Sequence, residues 1–188
     1  MTKNTTFIYI FTLLLSIQFV SCNGPEAESK KKVTAKKPIV NVPAFNADSA
    51  YQFIADQVAF GPRVPNTKAH QEAAVYLENT LRRFTKDVSV QSFQMRAYDG
   101  TVLNGKNIIG HFNVNAKKRI LLASHWDSRP YADHDPNEEM HRTPIDGAND
   151  GASGVGVLLE LARLFSEQSP SVGVDIILFD LEDYGVPN

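Results

Sequence analysis

Five side chains, His125, Asp127, Asp150, Glu182 and Asp183, have the types and spacing for metal-assisted acid–base chemistry. Zinc (Zn2+) catalysis needs three protein ligands, one open coordination position and a nearby carboxylate to move protons. His125, Asp150 and Asp183 can supply ligands. Glu182 is adjacent to Asp183 but projects on a differently directed bond, and can be the base. Asp127 lies two residues after His125, so in extended chain both side chains point the same way and Asp127 can orient the imidazole. Each pair alone is weak, because a His-x-Asp at a strand end is commonly structural and an acidic pair after a strand is commonly solvated. Their order, and the apolar runs that deliver them, carry the reading.

Those runs define the elements that must position the five groups. Asp150 sits where the glycine-rich loop from Pro144 becomes a helix, with Val155, Leu158, Leu159, Ala162 and Phe165 on one face. A carboxylate there faces the free N–H groups of the first turn, which suits an N-cap as well as a metal ligand. His125 ends the run from Arg119 to Ser124, and Glu182-Asp183 ends the run from Val174 to Leu181. In an α/β protein such strand ends converge on one sheet edge. Upstream, Asp48 can cap a helix with apolar positions Tyr51, Ile54, Ala55 and Val58, broken by Gly61 to Asn66. Thr67 opens a second helix with Ala73, Ala74, Leu77, Leu81 and Phe84 on its buried side, and the polar surroundings of His70 predict exposure. Alternation from Val88 to Met95 predicts a half-buried strand, Asp99-Gly100 a turn, and Asn107 to Phe112 a further strand. Arg119–Ser124 and Val174–Phe179 are expected as central strands, separated by the long loop Arg129–Asn149. The order predicts an α/β three-layer sandwich with a mixed central sheet and a parallel core. A central strand so close to Asn188, with no helix after it, predicts that residues 43–188 are an incomplete domain lacking its C-terminal part.

The 188 residues are 43% hydrophobic and 21% charged, ordinary globular composition for one domain, and a net charge of −2 gives no pointer to nucleic acid. Residues 1–21 read as a secretory signal, with Lys3, an apolar run from Phe7 to Phe19 and small residues before the cut. The sole cysteine, Cys22, stands where Phe19-Val-Ser-Cys22 resembles a bacterial lipobox, which predicts lipidation and an exported lipoprotein on the periplasmic or surface side of a membrane. Residues 22–42 carry Lys30-Lys-Lys32 and Lys36-Lys37 with almost no apolar surface, and read as a solvated tether.

Three segments together resemble one family. Ser124-His-Trp-Asp-Ser128, Gly147-Ala-Asn-Asp-Gly-Ala-Ser-Gly154 and Phe179-Asp-Leu-Glu-Asp-Tyr-Gly185 resemble the zinc aminopeptidases and their offshoot, the glutaminyl-peptide cyclotransferases (glutaminyl cyclases). Gly61-Pro-Arg-Val-Pro65 resembles their entry segment. His125 to Asp133 and the Glu182-Asp183-Tyr184 variant are more similar to the bacterial cyclase branch. The resemblance implies that Asp150 and Asp183 are zinc ligands, that Glu182 is the general base and acid, and that a last histidine ligand lies beyond Asn188. It also implies that His125 is a ligand only where a second zinc is bound. In a cyclase, Glu182 would pass a proton from the α-amine of an N-terminal glutamine to departing ammonia, giving pyroglutamate; the partners are peptides or proteins with N-terminal Gln. In an aminopeptidase, Glu182 would activate water. A third alternative is a non-catalytic peptide-binding lipoprotein, against which the intact Glu182 argues. Gly151-x-x-Gly154-x-Gly156 matches a phosphate loop poorly, since Asp150 would repel phosphate. The loop Tyr131–His141, rich in carboxylates, reads as solvated surface beside the site.

Overall fold

The computed structural model describes residues 41–187. The segments expected as signal peptide and, for the most part, tether, including Cys22, lie outside the described residues. The order of elements is α1 (Ala47–Val58), α2 (Lys68–Phe84), β1 (Val88–Arg96), β2 (Val102–Phe112), β3 (Arg119–His125), a short 3-10 turn (Glu138–Met140), α3 (Ala152–Glu167) and β4 (Gly173–Phe179). The strands form one mixed sheet in the order β1-β2-β4-β3, with β3 and β4 parallel and the other pairs antiparallel. This is the expected mixed α/β arrangement, with β4 inside the sheet. Arg119–Ser124, expected as a central strand, is an outer strand among the described residues, and Leu121 on it is 60% exposed. An apolar run marks a strand but not its place in the order.

The described residues bury a main core and a small second cluster of Ala97, Leu103 and Leu181. Ile108 and Phe112 of β2 and Val174, Ile176 and Leu178 of β4 face Phe53 of α1, Ala73, Leu77 and Leu81 of α2, and Val155, Leu159 and Ala162 of α3. The period of two along the strands and of 3.6 along the helices selects these residues. Among the described residues the helices thus pack on one face of the sheet, giving two of the three expected layers.

Both upstream helices begin at a side-chain cap. Thr67 caps α2 as expected, accepting from His70 N. For α1 the cap is Asn46, not Asp48: its Oδ1 accepts from Ser49 N at 3.0 Å. The buried face is therefore Ala50, Phe53 and Gln57, while Tyr51 is 72% exposed. Gln57 earns its burial by donating to Phe53 O and, at 3.2 Å, to Ala152 O at the start of α3.

On the other face of the sheet Asp175 of β4 joins its two neighbours. Its carboxylate accepts from His111 of β2 at 2.6 Å and from Arg119 of β3 at 2.6 and 2.9 Å. The Arg119 hydrogen bonds, with His111, hold its pKa down at about 2 against an ordinary 3.8. A depressed carboxylate contributes stability that is present above its unfolded pKa and lost as pH falls through the folded one. The Asp175→Asn variant is expected to lose about 1 kcal/mol at pH 7, the pair being partly in water. Urea midpoints measure the loss, and the gap from the parent should close between pH 4 and pH 2. A pH-independent gap would mean that packing, not charge, holds the three strands together.

Candidate active site at the strand ends

The parallel strands β3 and β4 end side by side. Pairing continues one residue past β3, with Trp126 N donating to Phe179 O at 3.1 Å, so the two loops that follow leave together. His125 is the last residue of β3 and the loop after it carries Asp127; the loop after β4 carries Glu182 and Asp183. Between Phe179 and Glu182 the chain reverses through Leu181, whose φ of +67° lies in the left-handed region. That conformation costs a non-glycine residue about 1 kcal/mol or more and persists only where the surroundings impose it. The reversal turns two consecutive N–H groups onto the fully buried carboxylate of Asp127: Glu182 N to Oδ1 at 3.3 Å and Asp183 N to Oδ2 at 3.0 Å.

Asp127 therefore holds both loops. Its Oδ1 also lies 3.4 Å from His125 Nδ1, the neighbour the two-residue spacing predicts. The other ring nitrogen, Nε2, is 2.9 Å from Asp150 Oδ1, and Glu182 Oε2 is 3.7 Å from Nδ1. The hydrogen bond to Asp127, helped by Asp150 and Glu182 and opposed by burial, raises the His125 pKa to about 9. At neutral pH the ring is a cation flanked by carboxylates.

Asp150 reaches this place by a different route from the one expected. It does not cap α3; Gly151 occupies that position with no side-chain cap bond, and Asp150 stands one residue earlier, two-thirds exposed and pointed at His125. Gly151 has φ +88°, and a Cβ there would lie 2.9 Å from Asp127 O and 3.1 Å from His125 Cε1. Only glycine lets the helix start this close to the β3 loop.

Asp183 is the least satisfied member of the group. Its Oδ2 is buried without a hydrogen-bond partner. Burial, then Asp150 and Asp127, lift its pKa to about 6. Glu182 projects outward with half of its side chain exposed. All five groups named from sequence thus meet at one sheet edge. Among the described residues, however, no three His, Cys, Asp or Glu side chains gather closely enough to hold a metal ion. The donor chemistry fits a divalent cation in part: Asp183 has a buried oxygen without a partner, and the exposed carboxylate of Asp150 raises its pKa. A zinc site needs a further donor that the described residues do not bring.

Sequence reasoning missed three supports of this site. Arg63 is fully buried and donates to Trp126 O at 3.1 Å, Asp146 O at 2.7 Å and Gly147 O at 2.9 Å, tying the β3 loop to the loop that delivers Asp150. Arg63 lies inside Gly61-Pro-Arg-Val-Pro65, the segment that resembles the family's entry segment, but that resemblance gave it no bridging role. His70, expected to be exposed, is 3% exposed, paired with Asp180 and stacked on Trp126. Tyr98, Tyr131 and Tyr184 meet beside the Glu182–Asp183 loop. Tyr98 and Tyr131 hydroxyls are 3.3 Å apart, and Tyr184 donates to Asp99 at 3.2 Å. They come from three separate loops, so no local pattern joins them.

A strand-end cluster of carboxylates around a histidine, on a mixed sheet covered by helices, stands where α/β enzymes build their active sites. Residues 107–187 match the model of Peptidase family M28, the class to which the three motifs pointed. Solved structures similar to the chain include the glutaminyl cyclase of Tannerella forsythia, with 57% identity and a TM-score of 0.76, covering 78% of this chain and 50% of that one. A leucine aminopeptidase precursor from Bacteroides thetaiotaomicron is similarly near, with 56% identity and a TM-score of 0.79, covering 80% and 52%. The glutaminyl-peptide cyclotransferase of Drosophila melanogaster is 32% identical over 127 residues, 65% of this chain and 33% of its own length. The chain spans about half the length of these structures and a third of that curated relative.

Proposed function

We propose that this chain carries the proton-transferring carboxylate and two metal ligands of a zinc-dependent glutaminyl-peptide cyclotransferase. The enzyme would convert the N-terminal glutamine of peptides or proteins to pyroglutamate with release of ammonia. Asp150 and Asp183 would hold the zinc with a third donor from outside the described residues, and the bound ion would polarise the γ-amide carbonyl. The α-amine of the glutamine attacks that carbon, forming one C–N bond as the bond to the amide nitrogen breaks. Glu182 takes a proton from the amine and delivers it to the departing nitrogen, so ammonia leaves neutral. Asp127 holds Glu182 in place through its backbone N–H. Attack is intramolecular, so orientation and proton transfer are most of what the side chains must supply.

The observation that carries this choice is the likeness to glutaminyl cyclases, the Tannerella forsythia structure at 57% identity and the Drosophila melanogaster glutaminyl-peptide cyclotransferase at 32%. In this reading His125, whose ring nitrogens face Asp150 and Asp127, orients Asp150. An aminopeptidase of this kind would instead activate water between two metals. The likeness to a leucine aminopeptidase precursor keeps hydrolysis as the second reading. Both readings place the enzyme outside the cytoplasm, anchored by lipid at Cys22, as the N-terminal signal suggests.

The deciding experiment incubates the zinc-loaded, full-length protein, without its anchor, with one peptide beginning in glutamine and one beginning in leucine. Product masses should show loss of ammonia from the first and no change in the second. Released leucine would move the assignment to hydrolysis. Neither product would leave the peptide-binding lipoprotein.

A further inference from the structure

Beneath the candidate site lies a buried pair that the proposed chemistry does not use. His70 Nε2 lies 2.9 and 3.0 Å from the two oxygens of Asp180, and both side chains are almost wholly buried. Asp180 Oδ2 also accepts from Lys106 N at 2.7 Å, and Oδ1 from Leu181 N at 2.9 Å. The Lys106 carbonyl in turn accepts from Trp126 Nε1 at 3.1 Å, and the Trp126 indole stacks on the His70 ring at 4.4 Å with an interplanar angle of 19°. The contacts close a ring: His70, Asp180, the Lys106 peptide groups, Trp126, and back to His70.

Two members of that ring adjoin the site in the chain. Trp126 lies in the chain between His125 and Asp127. Asp180 precedes Leu181, and the carboxylate that His70 holds is the one that fixes the N–H of this left-handed residue. Beyond Leu181, the Glu182 and Asp183 N–H groups are held from the opposite side by Asp127. The turn is clamped between two carboxylates, and His70 sets the lower one. Ordinary packing would ask only for an apolar side chain beside Trp126; a buried imidazole aimed at a buried carboxylate asks for more.

We propose that His70 is a positioning residue for the Glu182–Asp183 loop, acting through Asp180 and Leu181 to set where the proton-transferring carboxylate stands. The proposal rests on the cyclotransferase reading for its kinetic readout but not for its structural one. Removing His70 leaves the turn free to relax from its strained conformation, so Glu182 moves while the substrate-binding surfaces stay.

The test uses the zinc-loaded full-length protein, its His70→Ala and His70→Gln variants, and Trp126→Phe, which keeps the stack and removes the indole donor. With a glutamine peptide, His70→Ala should lower kcat about 10- to 100-fold with KM within about twofold and zinc content unchanged. His70→Gln, whose amide N–H can reach the Nε2 position, should recover most of kcat. Hydrogen exchange gives a reading independent of any reaction: the Glu182 and Asp183 amides should exchange at least about tenfold faster in His70→Ala, while the β4 amides stay protected. Unchanged loop exchange in His70→Ala, or a Gln variant no better than Ala, would overturn the proposal. If His70→Ala does not fold, His70→Gln and Trp126→Phe carry the same two readouts: slowed turnover with faster loop exchange in Trp126→Phe supports the ring, and parent-like values in Trp126→Phe overturn it. Absence of ammonia release from the parent protein itself would instead tell against the cyclotransferase reading, and the exchange result would still decide the role of His70.

Discussion

Replacing Glu182 with Gln should cut ammonia release from a glutamine peptide by at least about a hundredfold while zinc content stays at the parent level. Glutamine has the same shape and half-exposed setting as the carboxylate it replaces, but it cannot accept the amine proton. The loop should not move, because its position depends on backbone N–H groups bonded to Asp127 and not on the Glu182 side chain. The metal should stay, because Glu182 is not among its proposed ligands. Loss of kcat with KM little changed would mark an interaction made in the transition state. The measurement is initial-rate ammonia release beside metal analysis of the same sample. Turnover near the parent value would remove Glu182 from the mechanism.

The second large effect is structural. Arg63→Met should lower stability by about 3–5 kcal/mol and weaken zinc binding about tenfold or more. Methionine fills much of the aliphatic volume, so the loss comes from the carbonyls of Trp126, Asp146 and Gly147, which keep their burial and lose their donors. Burial lowers the pKa of Arg63 and the nearby Asp127 and Asp146 carboxylates offset this, so the guanidinium is tolerated only because its forks are filled. Arg63→Lys should recover little, because one ammonium cannot span acceptors on two loops. Zinc binding should fall with stability, because Arg63 holds the loop that brings Asp150 to His125. Urea unfolding and zinc titration check the two arms. A lysine variant as stable as the parent would show that charge alone, not the geometry of the fork, is what the site needs.

The sequence determined which groups meet. Apolar runs ending in His125 and in Glu182-Asp183, and the glycine-rich loop that delivers Asp150 to its helix, were legible because burial imposes a period on the chain, and strand ends in an α/β sheet share an edge. The two-residue spacing put Asp127 beside His125 for the same reason. The caps and faces of α2 and α3 were legible too, apart from Asp150, which stands one residue before the cap of its helix because glycine was needed at the close approach. The α1 face was misread because Gln57, buried through hydrogen bonds to two carbonyls, looks polar in sequence. The tertiary structure decided how the groups are held. That β3 is an outer strand among the described residues, that His70 is buried against Asp180, and that Arg63 bridges two loops are long-range facts, each joining residues more than fifty positions apart. Local pattern records what a residue can bury. Only the assembled sheet sets which distant carbonyl or carboxylate stands opposite it, and a polar side chain is buried or solvated according to that partner.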